Sequence, residues 1–244
     1  MMYFLVRKEI KRAKRIVIKI GTNALTKNGE FNHDRIDALA KEIVEMQKEG
    51  KEFVIISSGA VGIGKTIRKG NKHLHATLGQ VKMMNSYTKC FNKHDLLTSQ
   101  LLLTKNEFSS KEQLKHVKEL LEYSLDLGII MIINENDSLS HEKNTFGDND
   151  LLSGEITKLI NADLQILLTS VDGIYKNKNK DLLDYTTNLK NASKFITDEK
   201  SALGTGGMRS KLESAKIANK KTIVAHSKNT IKEILNGCGT IIDF

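Results

Sequence analysis

The chain has 244 residues, 39% of them hydrophobic, which is enough for a sizeable buried core in one large α/β domain or two small ones. A net charge of +9 invites a nucleic-acid partner, but the basic residues are spread along the chain and aromatics make up only 5%, so base-stacking platforms are missing and a lysine-rich solvated surface is the better reading. The longest apolar run, Leu127 to Ile133, is far too short for a membrane span, and two cysteines, Cys90 and Cys238, make neither a disulfide framework nor a CxxC pair.

Residues 1–14 carry Arg7, Lys8, Lys11, Arg12 and Lys14 with no apolar stretch among them, and read as a basic extension, not a secretory signal. A cytoplasmic location follows as the expectation. Proline is absent, although average usage predicts about 12 in this length, so turns must rely on Gly, Asn and Asp. No physical reason for that absence is evident.

Ile16-Val17-Ile18-Lys19-Ile20 is a β-branched run that reads as a buried strand, followed at once by Gly21. A lysine there is unusual unless it sits at the strand end and points into a cleft. Ile36, Leu39, Ala40, Ile43 and Val44 then give helical spacing, with Asn32 or Asp34 near the start, and Phe53 to Ser57 reads as a second buried strand. A helix between two apolar strands is a βαβ unit and predicts a mostly parallel sheet.

Gly59-Ala60-Val61-Gly62-Ile63-Gly64-Lys65-Thr66 satisfies the phosphate-loop pattern GxxxxGK[ST] after a strand. An NTPase using Lys65 and Thr66 is therefore a rival reading. Against it, Gly70 follows closely and the apolar periodicity beyond Thr66 is weak, so a long anchoring helix is not evident.

Further along, Leu101 to Leu103 reads as a strand, and Ser109 or Ser110 caps a helix carrying Leu114, Val117, Leu121 and Leu125 that closes at Gly128. Ile129 to Ile133 is the next strand. It delivers Asn134-Glu135-Asn136-Asp137 to the C-terminal edge of the sheet, where open parallel sheets bind ligands. Gly147-Asp148-Asn149-Asp150 follows, a cluster suited to a metal, a helix cap or a substrate clamp, ahead of a helix from Leu151 to Ile160. Leu164 to Thr169 is another strand, and Thr222 to Ala225, Ile231 to Leu235 and Gly239 to Ile242 read as strand, helix and strand. Between them, Gly204-Thr205-Gly206-Gly207-Met208-Arg209-Ser210-Lys211 is a glycine-rich loop running into a helix, a phosphate seat with Lys211 one turn inside.

Taken together, Ile18-Lys19-Ile20-Gly21-Thr22, Ser57-Ser58-Gly59-Ala60, Asn134 to Asp137, Gly147 to Asp150 and Gly204 to Met208 strongly resemble, in this order and at these separations, the glutamate 5-kinase branch of the amino acid kinase family. The resemblance runs from about Arg15 to the C-terminus and implies a single domain over residues 15–244, an α/β three-layer αβα sandwich with a mostly parallel central sheet. Its N-terminal part would bind an amino acid and its C-terminal part ATP. The implied reaction moves the γ-phosphoryl group of ATP, with Mg²⁺, to the side-chain carboxylate of L-glutamate, giving glutamyl 5-phosphate at the first step of proline biosynthesis. Another acyl-phosphate-forming amino acid kinase is the near alternative.

The same resemblance assigns Lys19 to the transferring phosphoryl group, Lys211 to the leaving ADP side, and Asp150 to holding both lysines. Ser58 and Gly59 would meet the reacting carboxylate, and Asp137, Asp148 and Asn149 the α-amino and α-carboxylate groups. Thr169, Ser170 and the segment Thr205, Gly206, Gly207, Met208, Arg209, Ser210 and Lys211 would hold the nucleotide, with no resident metal. It also implies a homo-oligomer, dimer or tetramer, with neither a nucleic-acid nor a membrane partner. Three departures stand out: Ser170 where the family usually has Asp, a short connection from Ala60 to Gln80, and no C-terminal PUA domain up to Phe244.

Overall fold

The structure, a computed structural model, describes residues 2–27, 30–141, 143–177, 179–195 and 207–243. Along the chain run α1 (Met2–Arg12), β1 (Arg15–Ile20), α2 (Thr22–Leu25), β2 (Thr26–Lys27), β3 (Glu30–Phe31), α3 (His33–Lys48), β4 (Glu52–Ile56), α4 (Ala60–Ile67) and α5 (Lys72–Asn92). They continue as β5 (Thr98–Leu103), α6 (Lys105–Ser109), α7 (Lys111–Asp126), β6 (Ile130–Glu135), α8 (Asn149–Leu159), β7 (Leu164–Thr169), β8 (Tyr185–Thr186) and α9 (Leu189–Ser193). The last are α10 (Met208–Ala218), β9 (Lys221–His226), α11 (Ile231–Leu235) and β10 (Thr240–Ile242).

Eight strands form one sheet in the order β5-β6-β4-β1-β7-β9-β10-β8. Strands β5 to β9 of that order are parallel, and β10 runs antiparallel to β9. Alternation along each strand sorts side chains onto two faces. Ile16, Ile18, Phe53 and Ile55 meet Val6 and Ile10 of α1, Leu39 and Ile43 of α3, Tyr87 and Phe91 of α5 and Ile231 of α11. On the opposite face, Val17, Val54, Ile56 and Ile133 pack against Leu121 of α7 and Leu152 and Ile156 of α8, while Leu167 and Val224 pack against Leu212 and Ala215 of α10. The result is a three-layer αβα sandwich around a mostly parallel sheet. No helix among the described residues is long and apolar enough to cross a membrane.

Capping follows the local chemistry. Asn32 accepts from the Arg35 N–H at the start of α3, Ser110 from Gln113 at α7, and Thr104 and Thr230 each form a capping box with a glutamate three residues on. Residues 1–14, expected as a basic extension, contain α1, whose Val6 and Ile10 enter the main core. Lys51 secures its C-terminal end, donating to the carbonyls of Lys11 at 3.1 Å and Ala13 at 2.6 Å.

Between Ala60 and Gln80, α4 and α5 cross with their backbones in contact. A Cβ on Gly64 would lie 1.9 Å from the His75 carbonyl oxygen, and one on Gly79 would lie 1.7 Å from that of Ala60. Only hydrogen fits at either position. The structure also weighs against the rival phosphate-loop reading: Ala60 to Ile67 is wound as helix, so beyond its first turn the backbone N–H groups are bonded within the helix, and Thr66 Oγ1 donates back to the Ile63 carbonyl at 2.8 Å.

Candidate active site

The C-terminal ends of β1, β4, β6, β7 and β9 open onto one cleft of about 1420 Å³. Lys19 occupies the penultimate position of β1, in the same phase as Val17, and so faces α8. Asp148 caps α8, accepting from the Asp150 N–H at 3.0 Å, which places Asp150 in the first turn with its carboxylate toward the sheet. From the other side Lys211 reaches in one turn inside α10.

These three side chains converge. Lys19 Nζ lies 2.7 Å from Asp150 Oδ1 and Lys211 Nζ 2.8 Å from Asp150 Oδ2, with Ser210 Oγ donating to the same Oδ2 at 3.0 Å. Asp150 is 0% exposed and both lysines are buried. Burial opposes charge on the Asp150 carboxyl, but Lys19 and Lys211 outweigh it and hold its pKa far below the carboxylate range. For Lys19, burial likewise opposes the charge, and Asp150 with Asp148 overcomes it, raising the ammonium pKa above its ordinary value. The centre is thus a fixed carboxylate between two cations, both on the wall of the cleft.

On one side of this centre lie Ser58, Gly59, Glu135, Asp137, Asp148 and Asn149. Asp148 Oδ2 is buried and has no hydrogen-bond partner among the described residues. Asp137 pairs with Lys72 at 2.9 Å, and its carbonyl accepts from His73 Nδ1. Asn149, also on the cleft wall, is held from several sides. Its Nδ2 donates to the Ser57 carbonyl at 2.7 Å and to Asn134 Oδ1 at 2.7 Å, its Oδ1 accepts from the Glu135 N–H, and Ser58 Oγ stands 3.2 Å away. Both amide hydrogens are committed to tying β4 to β6, while Oδ1 keeps a second lone pair.

On the other side lie Thr169, Ser170, Gly207 and Met208, together with His226 and the lysines Lys176, Lys180 and Lys194. Thr205 and Gly206, with Gly204, lie outside the described residues. Arg209 stands apart: it is exposed and lines a separate hollow with Glu155 and Lys190, so its side chain is not assigned to the cleft. Among the described residues no three His, Cys, Asp or Glu side chains group to hold a metal.

Two residues of the cleft wall, Glu135 and His226, and one behind it, Gln80, have no role assigned from the sequence. The strand expected to end at Ile133 continues to Glu135, whose buried carboxylate accepts from Thr145 Oγ1 at 2.6 Å and the Phe146 N–H at 2.7 Å on the cleft wall. Gln80 accepts from Asn134 Nδ2 at 2.8 Å from within α5. Gln80 has no local signal, whereas the phase of Glu135, two residues after Ile133, is the signal that turns it toward the cleft. His226 ends β9, and its Nδ1 accepts from the Lys228 N–H at 3.0 Å, which leaves Nε2 as the donor in the neutral ring.

The amino acid kinase family profile matches residues 14–229. The chain belongs to the amino acid kinase family. Among its relatives, the glutamate 5-kinase of Alkaliphilus oremlandii (strain OhILAs) is 39% identical over 93% of this chain and 92% of its own length, and that of Alkaliphilus metalliredigens (strain QYMF) is 36% identical over 96% of each. The glutamate 5-kinase of Lactococcus lactis subsp. lactis (strain IL1403) is 37% identical over 94% and 93%. In three dimensions this amino acid kinase matches the carbamate kinase from Giardia lamblia bound to AMP-PNP, with a TM-score of 0.67 over 96% of this chain and 99% of the other at 18% identity, a likeness of fold.

Proposed function

We propose that this amino acid kinase transfers the γ-phosphoryl group of ATP to the side-chain carboxylate of L-glutamate, forming glutamyl 5-phosphate, the activated acid from which proline biosynthesis starts. The observation that carries the reading is the single buried carboxylate of Asp150 with a lysine on each oxygen, facing a cleft with distinct halves. Near-full-length similarity to relatives named glutamate 5-kinase supports the choice of acceptor.

The chemistry needs two anions brought in line, so positioning and charge neutralisation carry most of the catalysis. A glutamate side chain is already ionised at neutral pH, and no general base is required. Lys19 neutralises the transferring phosphoryl group and Lys211 the leaving diphosphate. Asp150, ionised throughout, holds both ammonium groups at fixed sites and prevents them from repelling each other. Magnesium arrives with the triphosphate as part of the substrate.

In the amino acid half, Ser58 and Gly59 meet the reacting carboxylate at the start of α4, where the helix end favours negative charge. Asp137, Asp148 and Glu135 supply the acidic surroundings for the α-ammonium group. Asn149 acts here by fixing the ends of β4 and β6. In the other half, Thr169, Ser170, the segment Thr205 to Met208 and Ser210 hold the nucleotide, with Ser170 contributing a hydroxyl. We place the reaction in the cytoplasm and expect a homo-oligomer, an expectation supported by the exposed apolar side chains of Leu97, Tyr123 and Leu127 near edge strand β5.

The test is direct. Purified protein with ATP, Mg²⁺, L-glutamate and hydroxylamine should accumulate γ-glutamyl hydroxamate, with little from aspartate, acetylglutamate or carbamate. Turnover of ATP with one of those acceptors and none with glutamate would overturn the substrate assignment.

A further inference from the structure

Gln165 is the second residue of β7, ahead of the apolar run Ile166 to Leu168, and it is 0% exposed. A primary amide at such a position must place two donors and an acceptor without water. It does so completely. Nε2 donates to Ser153 Oγ at 2.6 Å and to Ser214 Oγ at 2.8 Å, while Oε1 accepts from the hydroxyl of Thr222, its register partner on β9, at 2.9 Å.

Both serines pass the connection to one atom. Ser153 Oγ donates to the Asp150 carbonyl oxygen at 2.8 Å, and Ser214 Oγ donates to the same oxygen. Their hydrogens are thereby committed, which fixes the direction of the bonds from the amide. Ser153 stands one turn beyond Asp150 on α8, and Ser214 one turn beyond Lys211 on α10. The ion pair is thus repeated one turn down as a pair of hydroxyls joined by Gln165. The helices also meet as closely as backbone permits: a Cβ on Gly154 would lie 2.6 Å from the Ser214 carbonyl oxygen.

Val17, the β1 register partner of Gln165, precedes Lys19 by two residues, so Gln165 sits on the same sheet face as Lys19, directly below the reacting level. Gln165, Ser153, Ser214 and Thr222 are all buried, and none of them lines the cleft. An apolar side chain would fill this space as well but would not hold direction.

We infer that Gln165 is a positioning residue for phosphoryl transfer, setting through Ser153 and Ser214 the placement of Asp150 against Lys211. The inference rests on the kinase reading above. Misplacement of a charge pair by about 1 Å without loss of the fold lowers turnover far more than it lowers ground-state binding.

The experiment uses the full chain in the hydroxamate assay. Gln165→Met should unfold cooperatively, keep KM for ATP and glutamate within about twofold, and lose about tenfold or more in kcat. Thr222→Ser should retain wild-type kcat, whereas Thr222→Val should lose part of it. In a Lys211→Ala background the further effect of Gln165→Met should nearly vanish, because the pair it positions is gone.

An unchanged kcat in Gln165→Met, or the same fold-loss in the Lys211→Ala background as in wild type, would overturn the inference. If Gln165→Met does not fold, equal kcat values for Thr222→Val and Thr222→Ser overturn it instead. Failure of the kinase reading looks different: the wild-type protein makes no acyl phosphate, or Lys211→Ala turns over undiminished, and this inference then falls with it.

Discussion

Lys19 Nζ and Asp150 Oδ1 stand 2.7 Å apart with both side chains buried, although one belongs to the first strand of the sheet and the other to a helix more than half the chain away. With Lys211 on the second oxygen, the charges of the site are mutually fixed before any substrate arrives. Preorganised charge of this kind is the part of catalysis that a binding site alone does not supply.

Removing either cation should therefore act on turnover. Lys19→Ala and Lys211→Ala are each expected to lower kcat by roughly 10²–10³-fold or more, with circular dichroism unchanged. Steady-state hydroxamate formation measures it, and near-normal rates in both variants would rule out the roles assigned here.

Asp150→Asn should destabilise the protein, because two buried ammonium groups lose their shared counter-charge, at a cost of about 3–5 kcal/mol. The sign with pH follows from a depressed carboxyl pKa: the contribution is fully present above the unfolded value near 4 and is lost as pH falls through the lower folded value. Urea midpoints of wild type and variant should thus differ by a constant amount from about pH 5 upward and converge only in strong acid. Convergence near pH 6 to 7 would contradict it.

Asp137→Ala should raise KM for glutamate by about 10-fold or more while leaving KM for ATP and kcat within about twofold, if its carboxylate on the cleft wall serves the amino acid as proposed. An unchanged glutamate KM would remove Asp137 from the amino acid half.

Thr66→Ala should leave ATP turnover within about twofold of wild type. In a phosphate-loop NTPase that hydroxyl would ligate magnesium, whereas here it closes a helical turn on Ile63. Abolished turnover in this variant would restore the rival reading.

Ile10→Ala tests the first helix. Ile10 is buried against the main core, so its truncation should cost about 2–5 kcal/mol by urea unfolding, with activity per folded molecule preserved. A loss below about 0.5 kcal/mol would show that α1 is not integral to the domain.

Much of this was legible in the sequence. Lys19 announced itself as a charge at the end of a β-branched strand beside a glycine, and the strands around it were readable from their apolar runs. The phosphate-loop letters supported only a rival reading because a motif specifies residues and not backbone: within it, Gly64 allows α4 and α5 to touch. Helix α1 was hidden because Val6, Ile10 and Ala13 keep helical spacing inside a cluster whose charge dominates the eye. The Gln165 network had no local signal, since its partners Ser153, Ser214 and Thr222 come from three separate elements and only the fold brings them together.

Strand order also constrains synthesis. Strand β1 sits at the centre of the sheet, with β4 on one edge and β7 on the other. A nascent chain can cover the first edge early, but the second stays open until Leu164–Thr169 has left the ribosome, and an uncovered apolar edge is a template for wrong partners. Lys19, made almost first, thus waits for nearly the whole polypeptide before it acquires Lys211, and translation arrested between the two yields no active centre.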